Sequence, residues 1–364
     1  MKFVHGSMRQ MRSARGRSLV IGSINTAGQA ATWARAVRRH TDATAVSWQA
    51  EGITGTSHLK FPVDETIPSR DLTRLGFVRR FLALGFSASH VLLESGRTFV
   101  VRGSKRATLL SALVLRALGT RPAFVFHGSD IRIPSMFRDT HPEGLFSDPQ
   151  EPRTITLEGR TRAMHRFLRR WPFPVFVSTP DLLRYVPSAR WLPVVPEDVW
   201  FDPLAPIEVN RTRPRVLHLP SSRATNNSDA IENTLSRLAG EGLVDFRSLA
   251  GVPPAEVRSH VGWADLVVDK IGLGVYGVMA TQVLASGRIL IGDVDELVRA
   301  AAPELPIVQV SVNTLEQAVR DLVSDRSSWS ARAAAGKLFA RKYHDGRYSA
   351  SVLAEWMGVP SVRP

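Results

Sequence analysis

The chain has 364 residues, a formal net charge of +14 and no cysteine. Its length suggests two domains, for which 44% hydrophobic residues suffice, and the missing cysteines exclude disulfides and thiolate metal sites. No apolar run approaches the ~18–20 residues that span a bilayer and the first residues lack a signal-peptide core, so a cytoplasmic protein is expected.

The charge is uneven. Met1 to Arg190 carries 29 Lys and Arg against 13 Asp and Glu, a net of +16, whereas the remainder has 18 against 20, a net of −2. A basic half suits nucleic acid, anionic lipid or a phosphorylated acceptor, although solvated arginine on an ordinary surface gives the same count.

In chain order, residues 1–17 read as a disordered basic arm, with Lys2, Arg9, Arg12, Arg15 and Arg17 and no acid. Ser18 to Ile24 is a buried strand, followed by the turn Asn25, Thr26, Ala27, Gly28, Gln29 and a helix through Trp33 and Val37 to His40. Strands are expected at Thr44–Ser47, Leu59–Val63 and His90–Glu94, and helices near 70–84 and 104–119. The second of these helices has an apolar stripe that reads as core, flanked by Arg102, Lys105 and Arg106. Pro122 to Arg132 is a buried strand ending in His127, Gly128, Ser129 and Asp130; in parallel sheets ligands gather at carboxyl ends of strands, although His127 could equally cap its own sheet. Met136 to Arg153 reads as a loop. A helix from about Glu158 to Arg170 then sets Arg160, Arg162, Arg166, Arg169 and Arg170 beside Met164, Phe167 and Leu168, which suits an anionic surface or plain solvent.

Val175–Ser178 is a strand with a polar helix start at Thr179, and proline-rich Leu192 to Pro214 reads as a linker. Strands at Arg215–Leu219, Val244–Ser248, Leu266–Val268, Ile289–Ile291 and Ile307–Val310 alternate with helices, the pattern of a parallel sheet covered on both faces. Ala264 to Asp293 stands out as strand, glycine loop (Gly272, Gly274, Gly277), helix and strand. A glycine loop entering a helix leaves unpaired N–H groups where the helix dipole favours an anion. An ordinary βαβ turn would also need these glycines.

Several of these segments together resemble the GT-B glycosyltransferases, in the large retaining family with an "EAMAxG"-type donor motif (group 1, family 4-like). Ala264, Asp265, Asp269, Gly274, Tyr276, Gly277, Val278, Ala285 and Gly287 follow its "AD…D…GxYGV…EAMAxG" pattern, with Gln282 where the family has glutamate and Ile289 where it has proline. Asn25, Gly28 and Gln29 match an "NxAGQA" loop, His127 and Asp130 an "HGSD" segment, and Lys342 to Asp345 a closing "KYHD". Arg223, Ser228 and Asp229 match "PSxR…KG(T/S)D", whose lysine and glycine are here Asn226 and Asn227.

The resemblance implies an α/β chain of two Rossmann-like domains facing a cleft. These would be an acceptor-side domain over 18–195, a linker over 196–213, a nucleotide-sugar domain over 214–340, and a last segment, 341–364, crossing back to the first. It implies a metal-independent transfer of a hexose, with retention, from an NDP-sugar to a glycan or lipid-linked acceptor, with no cofactor. His127 and Asp130 would face the reacting sugar, Arg223, Asn226, Gly274, Tyr276, Gly277, Val278 and Gln282 the donor, and Asn25, Gly28 and Gln29 the phosphates or acceptor. Asn226 and Gln282 also suit a degenerate relative that binds without turnover. A dinucleotide oxidoreductase is disfavoured because no tight G-x-G-x-x-G follows the first strand. A nucleic-acid partner is not expected, since aromatic residues are only 8% and no reading motif is visible. Peripheral docking on the inner face of the cell membrane fits the basic half.

Overall fold

A computed structural model describes residues 17–50, 61–67, 83, 87–96, 105–142, 144–220 and 227–361. The described chain forms two parallel sheets, of seven and five strands. The first contains β1 (Ser18–Ser23), β2 (Thr44–Ala50), β3 (Glu65–Ile67), β4 (His90–Glu94), β5 (Arg121–Phe126), β6 (Val175–Val177) and β7 (Arg190–Trp191), in the order β3-β2-β1-β4-β5-β6-β7. Its helices are α1 (Gln29–His40), α2 (Lys105–Ala117), α3 (Pro134–Thr140) and α4 (Pro152–Arg170). The second contains β8 (Arg215–His218), β9 (Asp245–Ser248), β10 (Leu266–Val268), β11 (Ile289–Gly292) and β12 (Ile307–Gln309), in the order β12-β11-β10-β8-β9. Its helices are α5 (Ser228–Gly240), α6 (Pro254–Trp263), α7 (Val278–Ala285), α8 (Glu296–Ala301), α9 (Leu315–Ser324) and α10 (Trp329–His344), and α11 (Arg347–Met357) closes the chain.

Strand apolarity explains the layering. Along β1, Val20 faces one core while Leu19 and Ile21 face the other; along β10, Val267 and its neighbours Leu266 and Val268 divide in the same way. A strand buried on both faces must be apolar throughout, as these are. Strand order reverses between β1 and β4 in the first sheet and between β8 and β10 in the second. Loops leaving the carboxyl ends of such strands diverge and leave a crevice.

The segment between the sheets is fastened to both. Trp200 is buried in the second core, and Asp265, itself buried, accepts from Glu208 N, Arg211 Nε and Arg215 N. The last helix returns to the first sheet: Val352, Leu353, Ala354 and Met357 of α11 share a core with Trp33 and Val37 of α1. Burying each large apolar side chain there contributes about 1.5–3 kcal/mol.

Some boundaries differ from the sequence reading, for backbone reasons. In the expected strand at 59–63, residues 61–63 make no ladder and pairing with β2 starts at Glu65; Pro62 has no N–H to donate. The expected loop at 136–153 contains most of α3 and the start of α4. Both helices have proline in their first turn, where its missing N–H costs nothing. Most of the helix expected at 70–84 lies outside the described residues, as do the arm at 1–16 and Arg102.

Candidate functional site

The turn after β1 is built around Glu94, the last residue of β4. This fully buried carboxylate accepts Ile24 N at 3.1 Å and Asn25 N at 2.7 Å on one oxygen, and Thr26 N at 3.1 Å on the other. His127 Nε2 lies 3.4 Å from the second oxygen, without hydrogen-bond alignment. Burial alone would raise the Glu94 carboxyl, but His127 and the Asn25 and Thr26 amides outweigh it and hold the group below its ordinary value.

The residues expected around this turn fall into distinct roles. Asn25 has a left-handed backbone (φ 57°), accepts Ala31 N and donates to the Pro62 carbonyl, so its side chain organises the turn. Gly28 also has positive φ (77°), and a Cβ there would meet Phe61 at 3.1 Å, so glycine satisfies both backbone and space. Gln29 spends its amide on Val195, accepting its N–H at 2.8 Å and donating to its carbonyl at 3.2 Å, and thereby pins the end of the first half to α1. Asp130 caps the backbone N–H groups of His127 and Gly128 and so aims the His127 loop. The His127 ring stacks on Trp33 with centroids 5.7 Å apart.

The glycine loop after β10 repeats the device. Asp293, just beyond β11, accepts Gly272 N at 3.1 Å and Gly274 N at 3.3 Å on one oxygen, while its other oxygen accepts from Gln309. Two amides that the sequence offers to an anion are therefore already held by a carboxylate of the chain. What remains is the start of α7. Gly277 precedes it with no side-chain cap, leaving the first helical N–H groups for a ligand or water. Lys270 Nζ lies 3.3 Å from where a Cβ on Gly277 would sit and 3.1 Å from Asp269 Oδ2. The sequence reading assigned Lys270 no part, although a lone basic residue between a strand and a glycine loop was a visible signal.

Of the other donor candidates, Val278 and Gln282 are half-buried on α7, and the Gln282 side chain makes no hydrogen bond among the described residues. Tyr276 is 2% exposed and packs against Phe339, with its hydroxyl 3.2 Å from His344 Nε2, so its side chain belongs to the support behind the loop. Arg223 and Asn226 lie outside the described residues. Their neighbour Asn227 has a left-handed backbone (φ 52°) and donates to the Ile271 carbonyl at 2.9 Å, tying the loop after β8 to the glycine loop.

The glycine loop after β10 packs against the loop after β8 and against the first half of the chain. A Cβ on Gly272 or Gly274 has no room: the first would meet Asn227 Nδ2 and the second His141 Nε2, each at 2.7 Å. Likewise Gly144, after α3, abuts the Gly272 carbonyl. Arg184 of the first half reaches Asp295 of the second at 3.4 Å, and Asp295 N donates to the Gly274 carbonyl. Behind the His127 loop, Arg132 forms a buried pair with Asp181 at 2.5 Å and stands 3.5 Å from where a Cβ on Gly128 would lie. Residues near 130, 181 and 295 thus form one polar seam running from the first loop to the second.

No protein-family model and no curated protein matches the chain. Solved structures do. An alpha-glucosyltransferase in complex with UDP-glucose and DNA containing an abasic site superposes with a TM-score of 0.60 at 9% identity, over 94% of this chain and 98% of that one. HepE from Anabaena in complex with UDP and glucose gives 0.59 at 11% identity, over 94% and 99%. Sucrose-phosphate synthase from Thermosynechococcus elongatus gives 0.59 at 13% identity, over 93% and 97%. The chain therefore has the GT-B fold, two Rossmann-like α/β domains facing a cleft.

Proposed function

We propose that this chain is a glycosyltransferase that moves a hexose from a nucleoside-diphosphate sugar to a glycan or lipid-linked acceptor, with retention and without a metal. The observation that carries the reading is the uncapped start of α7 beside Lys270, placed where the second sheet reverses order and against the first half of the chain. A departing diphosphate needs preorganised positive potential, which the α7 N-terminus would supply, with the Lys270 ammonium turning from Asp269 toward the phosphate. Lys270 would take over the charge that the family pattern places at the position of Asn226. The free amide of Gln282, one turn into α7, would hydrogen-bond a ribose hydroxyl.

On the other side, His127 and the loop aimed by Asp130 would face the sugar and acceptor, with Glu94 setting the His127 ring. The exposed arginines Arg160, Arg162, Arg166, Arg169 and Arg170 of α4 would hold the protein at an anionic membrane face on the cytoplasmic side. Among the described residues no helix is long and apolar enough to cross a membrane, which agrees with docking by charge. The acceptor-side reading leaves nucleic acid out, although three similar alpha-glucosyltransferase structures hold DNA.

A second reading is a degenerate transferase that binds sugar nucleotides without turnover. Asp293 favours it, because a carboxylate on Gly272 N and Gly274 N adds negative charge beside the anion site. A panel of sugar nucleotides tested for thermal stabilisation, followed by product analysis, separates the readings. Stabilisation with release of nucleoside diphosphate in the presence of an acceptor supports transfer; stabilisation without release supports binding alone; no stabilisation by any member removes both.

A further inference from the structure

The second domain carries a cationic recess remote from the cleft. It has a volume of about 320 Å³ and is lined by Arg213, Arg215, Arg247 and Trp263, with Asp245 and Phe246. Arg215 and Asp245 open β8 and β9 and pair in register, so the recess lies at the amino ends of these strands. The glycine loop and α7 follow the carboxyl end of β10, at the opposite edge of the same sheet.

Three features distinguish this cluster from solvated surface arginine. The second half of the chain has a net charge of −2, yet three guanidinium groups converge here. None of them has a side-chain ion pair or hydrogen bond among the described residues, although arginine elsewhere in the domain, such as Arg237 and Arg320, is paired with glutamate. And they are preorganised. Arg247 lies 3.9 Å and Arg215 5.3 Å from the Trp263 ring centroid, so one indole holds both by cation–π contact. Arg213 lies beside Gly242, whose φ of 75° favours glycine. Three guanidinium groups against the single Asp245 carboxylate leave the recess cationic, and a guanidinium fork matches phosphate oxygens in pairs.

We propose that this recess is a second anion site, which binds a phosphate monoester independently of the sugar nucleotide. Asp245 in the lining reduces the net positive charge of the recess, so a small anion is favoured over a polyanion.

The test is calorimetric titration of the full chain with inorganic phosphate at constant ionic strength, using chloride as control. The wild type should bind saturably, Lys270→Gln should bind equally well, and Arg213→Gln/Arg215→Gln/Arg247→Gln should bind at least about tenfold more weakly with unchanged thermal unfolding. If the triple variant does not fold, Arg213→Gln and Arg247→Gln, both at exposed positions, should each weaken binding severalfold. Absence of saturable phosphate binding, or binding that survives these changes, overturns the proposal. Loss with Lys270→Gln alone would assign the phosphate to the cleft and overturn it equally, whereas failure of sugar nucleotides to bind would leave it standing. Vesicles of phosphatidic acid, added to protein carrying Arg166→Gln, Arg169→Gln and Arg170→Gln, identify the source. Retention that needs the recess arginines marks a lipid headgroup, and no retention beside saturable phosphate binding marks a free ester.

Discussion

Tyr276 and His344 stand 3.2 Å apart, hydroxyl to Nε2, both buried. His344 Nδ1 lies 2.8 Å from the Val194 carbonyl and must donate to it, so Nε2 is the bare nitrogen and accepts the Tyr276 proton. One neutral imidazole thereby joins the glycine loop of the second domain, the end of the first domain and the last turn of α10.

Tyr276→Phe removes the donor and leaves Nε2 buried without a partner. The expected loss is on the order of 1–3 kcal/mol, read from urea unfolding. An unchanged midpoint would mean that the hydroxyl contributes nothing to the junction.

The same residue sets a pH dependence. Burial lowers the His344 pKa from 6.5 to about 4, against the pull of the Val194 carbonyl. The unfolded chain therefore binds the proton more readily, so this contribution is complete above pH 6.5 and is lost progressively down to about pH 4. The full loss is on the order of 3 kcal/mol. His90, also lowered to about 4 by burial and by Arg121, works in the same direction. Glu94 acts lower: its depressed pKa stabilises above 4.5 and that part is lost as pH falls below. A melting temperature that is flat between pH 7 and 4.5 would refute the histidine assignment; His344→Gln should flatten part of the slope.

Glu94→Gln places an amide donor among three backbone N–H groups. It should cost at least about 1–3 kcal/mol, since one donor then has no acceptor, and should release the His127 ring. In a transferase this appears as a fall in kcat larger than the change in donor KM. Wild-type stability and turnover in Glu94→Gln would show the carboxylate to be dispensable.

Lys270→Gln should weaken binding of a nucleoside diphosphate by about tenfold or more, the effect of one charge-assisted contact, with the fold intact. Arg223→Ala should abolish NDP-sugar binding. Conversely Asn226→Lys should tighten it and Gln282→Glu should strengthen the ribose contact. Calorimetry with UDP and GDP measures each; no change with Lys270→Gln would remove this residue from the site.

Binding to anionic vesicles should be measurable at low salt, fall steeply as salt rises, and weaken in Arg166→Gln/Arg169→Gln/Arg170→Gln. Neutral vesicles should not retain the protein. Equal binding to both kinds, or none, would leave the α4 face as solvated surface and direct the search to a soluble acceptor.

Much of the scaffold was legible from residue order alone. The apolar runs of β1, β4 and β10 and the turn glycines Gly28, Gly272 and Gly274 are local signals, because burial on two faces and positive φ are demands on a few adjacent residues. The resemblance to GT-B enzymes rests on the same short segments, and the fold agrees with it. The sequence could not show who answers them. Glu94 meets the first turn across about 70 residues, His344 meets Tyr276 across 68, and Gln29 meets Val195 across 166. No periodicity encodes such pairs; they arise when the order of a parallel sheet brings the end of one strand beside the loop of another. That tertiary order gave the amides of both glycine loops to Glu94 and Asp293, turned Tyr276 into the core, and left the start of α7 without a side-chain cap, beside the Lys270–Asp269 pair.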